Sequence, residues 1–219
     1  MTEEPAATRL DRYRNAWRSA PGVVDSAAAF PSPDQLEAVW RWSDFVAQTS
    51  LRAPELLAQL QQDGLLDRSY GGGEMAAALQ RVLAEVDDED GLESGLRRFR
   101  QREMVRIVWR DLGGLAGLDE TLEDLSELAD VCIQQALAKL YAWAVERSGT
   151  PRSPDGTAQQ LIVIGMGKLG ARELNLSSDI DLIFCFPAHG QTDGRRAVEN
   201  ERFFTRLGRQ LISVLSRHT

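Results

Sequence analysis

The sequence predicts a mostly α protein with a small α/β part: a helical bundle followed by the opening of an α/β domain. Three observations carry that reading. Apolar residues recur at helical spacing through most of the first 147 residues, with no strand pattern among them. The stretch Ser148-Gly149-Thr150-Pro151-Arg152-Ser153-Pro154-Asp155-Gly156 then interrupts the pattern. Beyond it, two short β-rich runs, Leu161-Ile162-Val163-Ile164 and Asp181 to Phe186, stand on either side of a glycine turn. The expected organisation is a helical region over 1–147, a linker over 148–159 and an α/β segment over 160–219.

Residues 1–30 are rich in Ala and Pro and are expected to be loose at the start, with a short helix from Arg9 to Trp17. Pro31-Ser32-Pro33-Asp34 is a helix-start signal, with Ser32 as cap and proline in the first turn. Leu36, Val39, Trp40, Trp42, Phe45 and Val46 continue it as apolar positions, and a second helix is expected around Ala53 to Gln62. Gly71-Gly72-Gly73 breaks the chain before a helix from Glu74 to Val86. Asp87-Asp88-Glu89-Asp90-Gly91 reads as a solvated acidic connector, since it lacks the ligand spacing of a calcium loop.

A long helix follows over Leu92 to Leu112, its apolar stripe formed by Met104, Ile107, Val108 and Leu112. Arg98, Arg102, Arg106 and Arg110 recur every fourth residue along it. They form either a solvated face with acidic neighbours such as Glu93 and Glu103, or a basic rail toward a phosphate or acidic partner. Asp119 opens the next helix with acidic residues in its first turn, as the helix dipole favours. Its stripe runs from Leu122 through Leu125, Ala129, Cys132, Ile133, Ala136, Leu137, Leu140 and Tyr141 to about Arg147. The Trp, Tyr and Met residues of these helices are read as core. Five or six such helices make a bundle. The run Leu161 to Ile164 reads as a buried strand, His189 to Gly194 as a polar loop, and Arg195 to Ser216 as a helix with Phe203, Leu207, Leu211 and Leu215 at steps of four.

Composition excludes several functions. With 43% apolar residues in 219, a packed core is feasible. A net charge of −8 argues against a nucleic-acid binder, which needs a basic face. The charge is uneven: Gln160 to Thr219 holds eight Lys/Arg against six Asp/Glu, a net of +2, which leaves −10 for the preceding 159 residues. The two cysteines, Cys132 and Cys185, form no zinc pattern and read as core residues of a reducing cytoplasm. The start MTEEPAATRL has no signal-peptide h-region, and no apolar run approaches the ~20 residues that span a bilayer.

The chemistry is concentrated in Gly165-Met166-Gly167-Lys168-Leu169-Gly170, followed by Ser177-Ser178-Asp179-Ile180-Asp181-Leu182. Successive strand side chains point to opposite faces, so Asp179 and Asp181 are expected on a strand, sharing one face. Two carboxylates that close repel unless a cation sits between them. Mg²⁺ suits the position, because it takes hard oxygen ligands and works with phosphates. Glycines upstream let the backbone approach a phosphate closely. Ten residues separate Lys168 from Asp179, room for a turn, a short helix and a second strand beside the first. Lys168 offers a positive charge to phosphate, and Arg172 either does the same or lies in solvent. Ser177 and Ser178 either bond phosphate or cap the start of the strand. A dinucleotide-binding turn fits poorly, since no long helix follows Gly170. A P-loop is excluded because Leu169 stands where Ser or Thr is needed. The set reads as a metal-dependent nucleotidyl-transfer site: Asp179 and Asp181 as ligands, Gly165, Gly167, Lys168, Ser177 and Ser178 toward phosphate.

At these residues the sequence resembles a known family. GMGKLGARELNLSSDIDLIFCF, from Gly165 to Phe186, is similar to the signature of the glutamine synthetase adenylyltransferase/adenylyl-removing enzymes. LRRFRQREMVRIVWRDL (Leu96 to Leu112) and DETLEDLSELA (Asp119 to Ala129) resemble segments upstream of it, so the likeness covers about residues 35–219. The wording Glu173-Leu174-Asn175 with Ser177-Ser178-Asp179-Ile180-Asp181 is closer to the N-terminal, adenylyl-removing half of that two-part family. The resemblance implies a nucleotidyltransferase (polymerase β-like) domain and Mg²⁺ on Asp179 and Asp181. It also implies that AMP is attached from ATP to a tyrosine of glutamine synthetase and removed by phosphorolysis as ADP, under control of the signalling protein PII and glutamine. Family members are several times longer and carry a third acidic residue further on. The resemblance therefore implies an N-terminal fragment with an incomplete domain and an unpaired sheet edge.

Two other readings compete. One is a nucleotidyltransferase of the same fold with another substrate, although those begin near the glycine turn rather than after a long helical region. The other is a non-catalytic interaction module in which the bundle and its Arg98–Arg110 ribbon bind a partner.

Overall fold

The structure is a computed structural model that describes residues 6–20 and 30–216. Of the start expected to be loose, residues 1–5 and 21–29 lie outside them, while the short helix expected from Arg9 to Trp17 is present over Ala6–Arg18. The chain divides into two compact units, Met1–Gly72 with Arg100–Asp124, and Gly73–Phe99 with Leu125–Thr219.

The first unit is helical. It contains α1 (Ala6–Arg18), α2 (Pro33–Trp40), α3 (Asp44–Arg52) and α4 (Pro54–Gln62), with the later part of α6 (Glu89–Leu112) and the first turns of α7 (Leu118–Ser148). Ser32 starts α2 as expected, in a reciprocal capping box with Gln35 and with Pro33 in the first turn. The apolar run then divides where one continuous pattern was expected. Ser43 accepts a hydrogen bond from the Val46 N–H and opens α3, which resets the helical phase. That reset turns Trp42 outward, 74% exposed, and leaves Phe45 42% exposed, so these two aromatics are not core. Trp40, 1% exposed, is the centre of the packing instead, edge-on to Tyr13 and Trp17 with ring centroids 6.2 and 5.6 Å away.

The arginine ribbon is neither a solvated face nor a free rail. Arg98 is exposed, but Arg106 and Arg110 are buried and Arg102 is mostly covered. Arg106 Nε donates to Glu103 at 2.7 Å and its Nη2 pairs with Asp124 at 2.9 Å. Arg110 pairs with Glu120 at 2.7 Å, and Arg102 bridges Asp63 at 3.0 Å and Glu103. Buried charge is tolerated only when paired in this way.

The second unit contains α5 (Glu74–Val82), the start of α6, most of α7, β1 (Pro151–Arg152), β2 (Ile162–Gly165), α8 (Gly167–Gly170), β3 (Leu182–Cys185), β4 (Gln191–Thr192) and α9 (Asn200–Ser216). Gly73, at φ 76°, precedes α5. The acidic connector is shorter than expected, because the Asp88 carboxylate accepts the Gly91 N–H at 2.7 Å and α6 begins at Glu89. The stretch expected as a linker holds β1, paired antiparallel with β4 in the expected polar loop; Arg152 is opposite Gln191.

β2 and β3 form a separate antiparallel pair, with Ile162 opposite Cys185 and Gly165 opposite Leu182. Phe203, Phe204, Leu207 and Leu211 of α9 are buried, and Phe204 stacks on Phe186 with centroids 5.0 Å apart. A cavity of about 170 Å³ separates Ile133 and Leu137 of α7 from Val163, Gly165 and Leu182. β2 is not the buried strand the run predicted. Helices cover one face of the ribbon, while Ile162, Ile164 and Ile183 on the other are 45%, 44% and 48% exposed. Cys132 is buried and Cys185 partly so; both are free thiols.

Candidate functional site

β2 ends at Gly165, and the chain turns at once into α8. Met166 is extended, and Gly167 takes φ 54°, a left-handed conformation that side chains disfavour. Gly170 passes so close beneath the strand that a Cβ there would lie 2.6 Å from the Gly165 carbonyl oxygen. The turn is therefore built by backbone close approach, and Lys168 projects from it.

The return segment is organised by side chains. α8 ends with the Arg172 N–H bonded to the Leu169 carbonyl at 3.0 Å and the Glu173 N–H to the Lys168 carbonyl at 2.7 Å. This is a Schellman ending, with Arg172 at φ 58° where glycine is usual. The Arg172 guanidinium donates to Asp130 of α7 at 2.8 Å, so it is neither a bare phosphate ligand nor simply solvated.

Leu174 is buried, and its N–H lies 3.4 Å from the Ser126 hydroxyl of α7. Asn175 then gathers the two serines. Its Oδ1 accepts from the Ser178 hydroxyl at 2.7 Å, the Ser177 hydroxyl at 3.2 Å and the Ser177 N–H at 3.3 Å. Ser178 Oγ also accepts from the Asn175 N–H at 3.2 Å and from Lys168 Nζ at 3.4 Å. The glycine turn and the serines thus meet through Lys168 and Ser178.

Asp179 and Asp181 are exposed and lie in the irregular segment leading into β3, not on the strand. The reason is the register. Gly165, the last residue of β2, faces Leu182, and the chain beyond Gly165 curls into α8, leaving little backbone for a ladder. One bond extends it: the Met166 N–H donates to the Asp181 carbonyl at 2.9 Å. That bond brings the second aspartate beside the glycine turn. Among the described residues no group of three or more His, Cys, Asp or Glu is placed to hold a metal. Two exposed carboxylates still fit Mg²⁺, which commonly takes one or two protein carboxylates and completes its shell with water and phosphate oxygens.

Reading the residues one by one had missed Asn175 and Asp130 as parts of this arrangement. Asn175 carried a signal, since asparagine two residues before a serine favours a side-chain-closed turn. Asp130 carried none, because its partner is 42 residues away.

Comparison with known proteins gives the family to which this sequence is similar. A family model described as glutamate-ammonia ligase adenylyltransferase matches residues 33–219. The chain belongs to that family. It is 52% identical over 217 residues to a bifunctional glutamine synthetase adenylyltransferase/adenylyl-removing enzyme of Thioalkalivibrio sulfidiphilus, covering 98% of this chain and 22% of the relative. A protein of the same name from Nitrosococcus oceani is 52% identical over 183 residues, 83% of this chain and 19% of its own. Another from Pseudomonas aeruginosa is 46% identical over 220 residues, 96% of this chain and 22% of its own. The chain therefore spans about a fifth of the length of these curated relatives. No helix among the described residues is long and apolar enough to cross a membrane.

Proposed function

We propose that this chain carries part of a nucleotidyltransferase (polymerase β-like) domain that removes AMP from a tyrosine of glutamine synthetase by phosphorolysis. The observation that carries the reading is the convergence of the glycine turn, Lys168, Ser177 and Ser178 with Asp179 and Asp181 at one end of the β2–β3 ribbon. In the reaction an oxygen of inorganic phosphate attacks the phosphorus of the AMP–tyrosine ester. The bond from phosphorus to the tyrosine oxygen breaks, ADP departs and the tyrosine regains its hydroxyl. Asp179 and Asp181 would hold Mg²⁺, which neutralises charge on the phosphate oxygens when bound. Lys168 adds a fixed positive charge beside the turn, and Gly165 and Gly167 allow the backbone to approach the phosphates. The hydroxyls of Ser177 and Ser178 both donate to Asn175 Oδ1, which holds the serine turn beside Lys168.

The adenylyl-removing direction is supported by the wording of Glu173 to Asp181, and the relatives' names carry both activities. ATP as adenylyl donor, glutamine synthetase and PII as partners, and a cytoplasmic location belong to the same proposal. The rival reading as an interaction module loses its main support, because Arg106 and Arg110 are buried in ion pairs rather than presented to a partner.

The test is Asp179→Asn and Asp181→Asn, each made in a full-length relative. Phosphate-dependent ADP release from adenylylated glutamine synthetase should fall on the order of a thousandfold, equivalent to about 4 kcal/mol of lost charge stabilisation. Unchanged ADP release by either variant would rule the assignment out.

A further inference from the structure

We propose that Asp130, on α7, is a positioning residue for the loop that carries Ser177 to Asp181, acting through Arg172. This rests on the reading of Asp179 and Asp181 as metal ligands given above.

Three observations carry it. First, Arg172 sits at φ 58°, and it is the one non-glycine residue at positive φ among the described residues. It occupies the position after a Schellman ending where glycine is the ordinary choice. An L side chain held in such a conformation is informative when the surroundings hold it there. Second, its side chain reaches back to α7, where the guanidinium donates to Asp130 at 2.8 Å. Third, the segment is tied to the same helix a second time. The Ser126 hydroxyl, one helical turn before Asp130, lies 3.4 Å from the N–H of buried Leu174. Residues 172 and 174 are thus fixed to one face of α7 immediately before Asn175, whose side chain builds the serine turn. Asp179 follows one residue after that turn.

The pair is partly exposed, with 42% of the Arg172 side chain and 37% of the Asp130 side chain accessible. Pairs so exposed contribute little to global stability. The role of this one is to set where the loop leaves α8. Residues that orient metal ligands from outside the coordination shell commonly change affinity by about ten- to a hundredfold when altered.

The experiment measures binding of Mn²⁺·ADP to this chain by water-proton relaxation, beside hydrogen exchange at the Ser177 and Ser178 amides and thermal melting. Asp130→Asn should weaken Mn²⁺·ADP binding about tenfold and speed exchange at both amides, with the melting temperature nearly unchanged. Asp130→Arg and Arg172→Asp should each do the same. The double variant, with the charges exchanged, should recover most of the affinity, since aspartate also tolerates positive φ. Wild-type binding and exchange in Asp130→Asn, or a double variant as weak as the singles, overturns the proposal. Asp181→Asn separates it from the reading on which it rests. If that variant binds Mn²⁺·ADP normally, the metal-ligand assignment fails, and the exchange rates in Asp130→Asn alone decide the positioning role: faster supports it, unchanged refutes it.

Discussion

Tyr70 illustrates how much one side chain's surroundings decide. Its hydroxyl donates to Glu103 at 3.0 Å and accepts from Arg102 at 3.1 Å, and the Arg106 guanidinium lies 4.4 Å from its ring centroid. Burial, with the Glu103 charge beside it, pushes the phenol up to about 12. In the unfolded chain the phenol loses its proton at about 10. Between those values the folded state binds the extra proton, so stability should fall as pH rises from about 10 to about 12. Absorbance titration should show one of the three tyrosines ionising last, and Tyr70→Phe should remove that phase; its persistence would contradict the assignment. At the same scale, the residue types at the glycine turn were legible because each has a backbone reason, Gly167 its positive φ and Gly170 its close approach to the Gly165 carbonyl. Asp130 was not legible, since a partner 42 residues distant leaves no local pattern.

Among the elements, α6 departs furthest from its sequence reading. Arginine every fourth residue is the pattern of a solvated stripe, yet Glu103 at i+1 and i−3 and Asp124 from α7 convert it into a buried network. Periodicity reports which residues share a face, not what packs on that face. Removing one acidic partner leaves a buried guanidinium unbalanced. Glu103→Ala should therefore lower the unfolding free energy by about 3–5 kcal/mol, whereas replacing Glu103, Arg106 and Asp124 together with apolar residues of similar volume should be much less damaging. Denaturant melts of the two variants check this, and equal losses would argue against a charge-balance origin. The same limit explains the other departures. The break between α2 and α3 depended on whether Ser43 would cap, and the exposed face of β2 on which elements cover the ribbon. The ladder's end at Leu182 depended on the turn opposite, which left Asp179 and Asp181 outside the strand. By contrast, α2 and α4 to α7 and the β2–α8–β3 order were readable, because caps, glycine breaks and apolar spacing act locally.

For the whole molecule, the helical majority and the small antiparallel pairs agree with the expected class, and the family match extends through both the bundle and the glycine turn. Helices and turn are thus inherited together, and the acidic helical region with the more basic C-terminal segment belongs to one enzyme family. The central claim is that the glycine turn and the two aspartates form a metal-dependent phosphate site. It is tested most directly by calorimetric titration of this chain with ADP, in Mg²⁺ and in EDTA, beside the Asp179→Asn/Asp181→Asn double variant. The account predicts binding that requires Mg²⁺ and is lost in the double variant. Binding of equal strength in EDTA, in the double variant, or the lack of any Mg²⁺-dependent binding by the unaltered chain would contradict it.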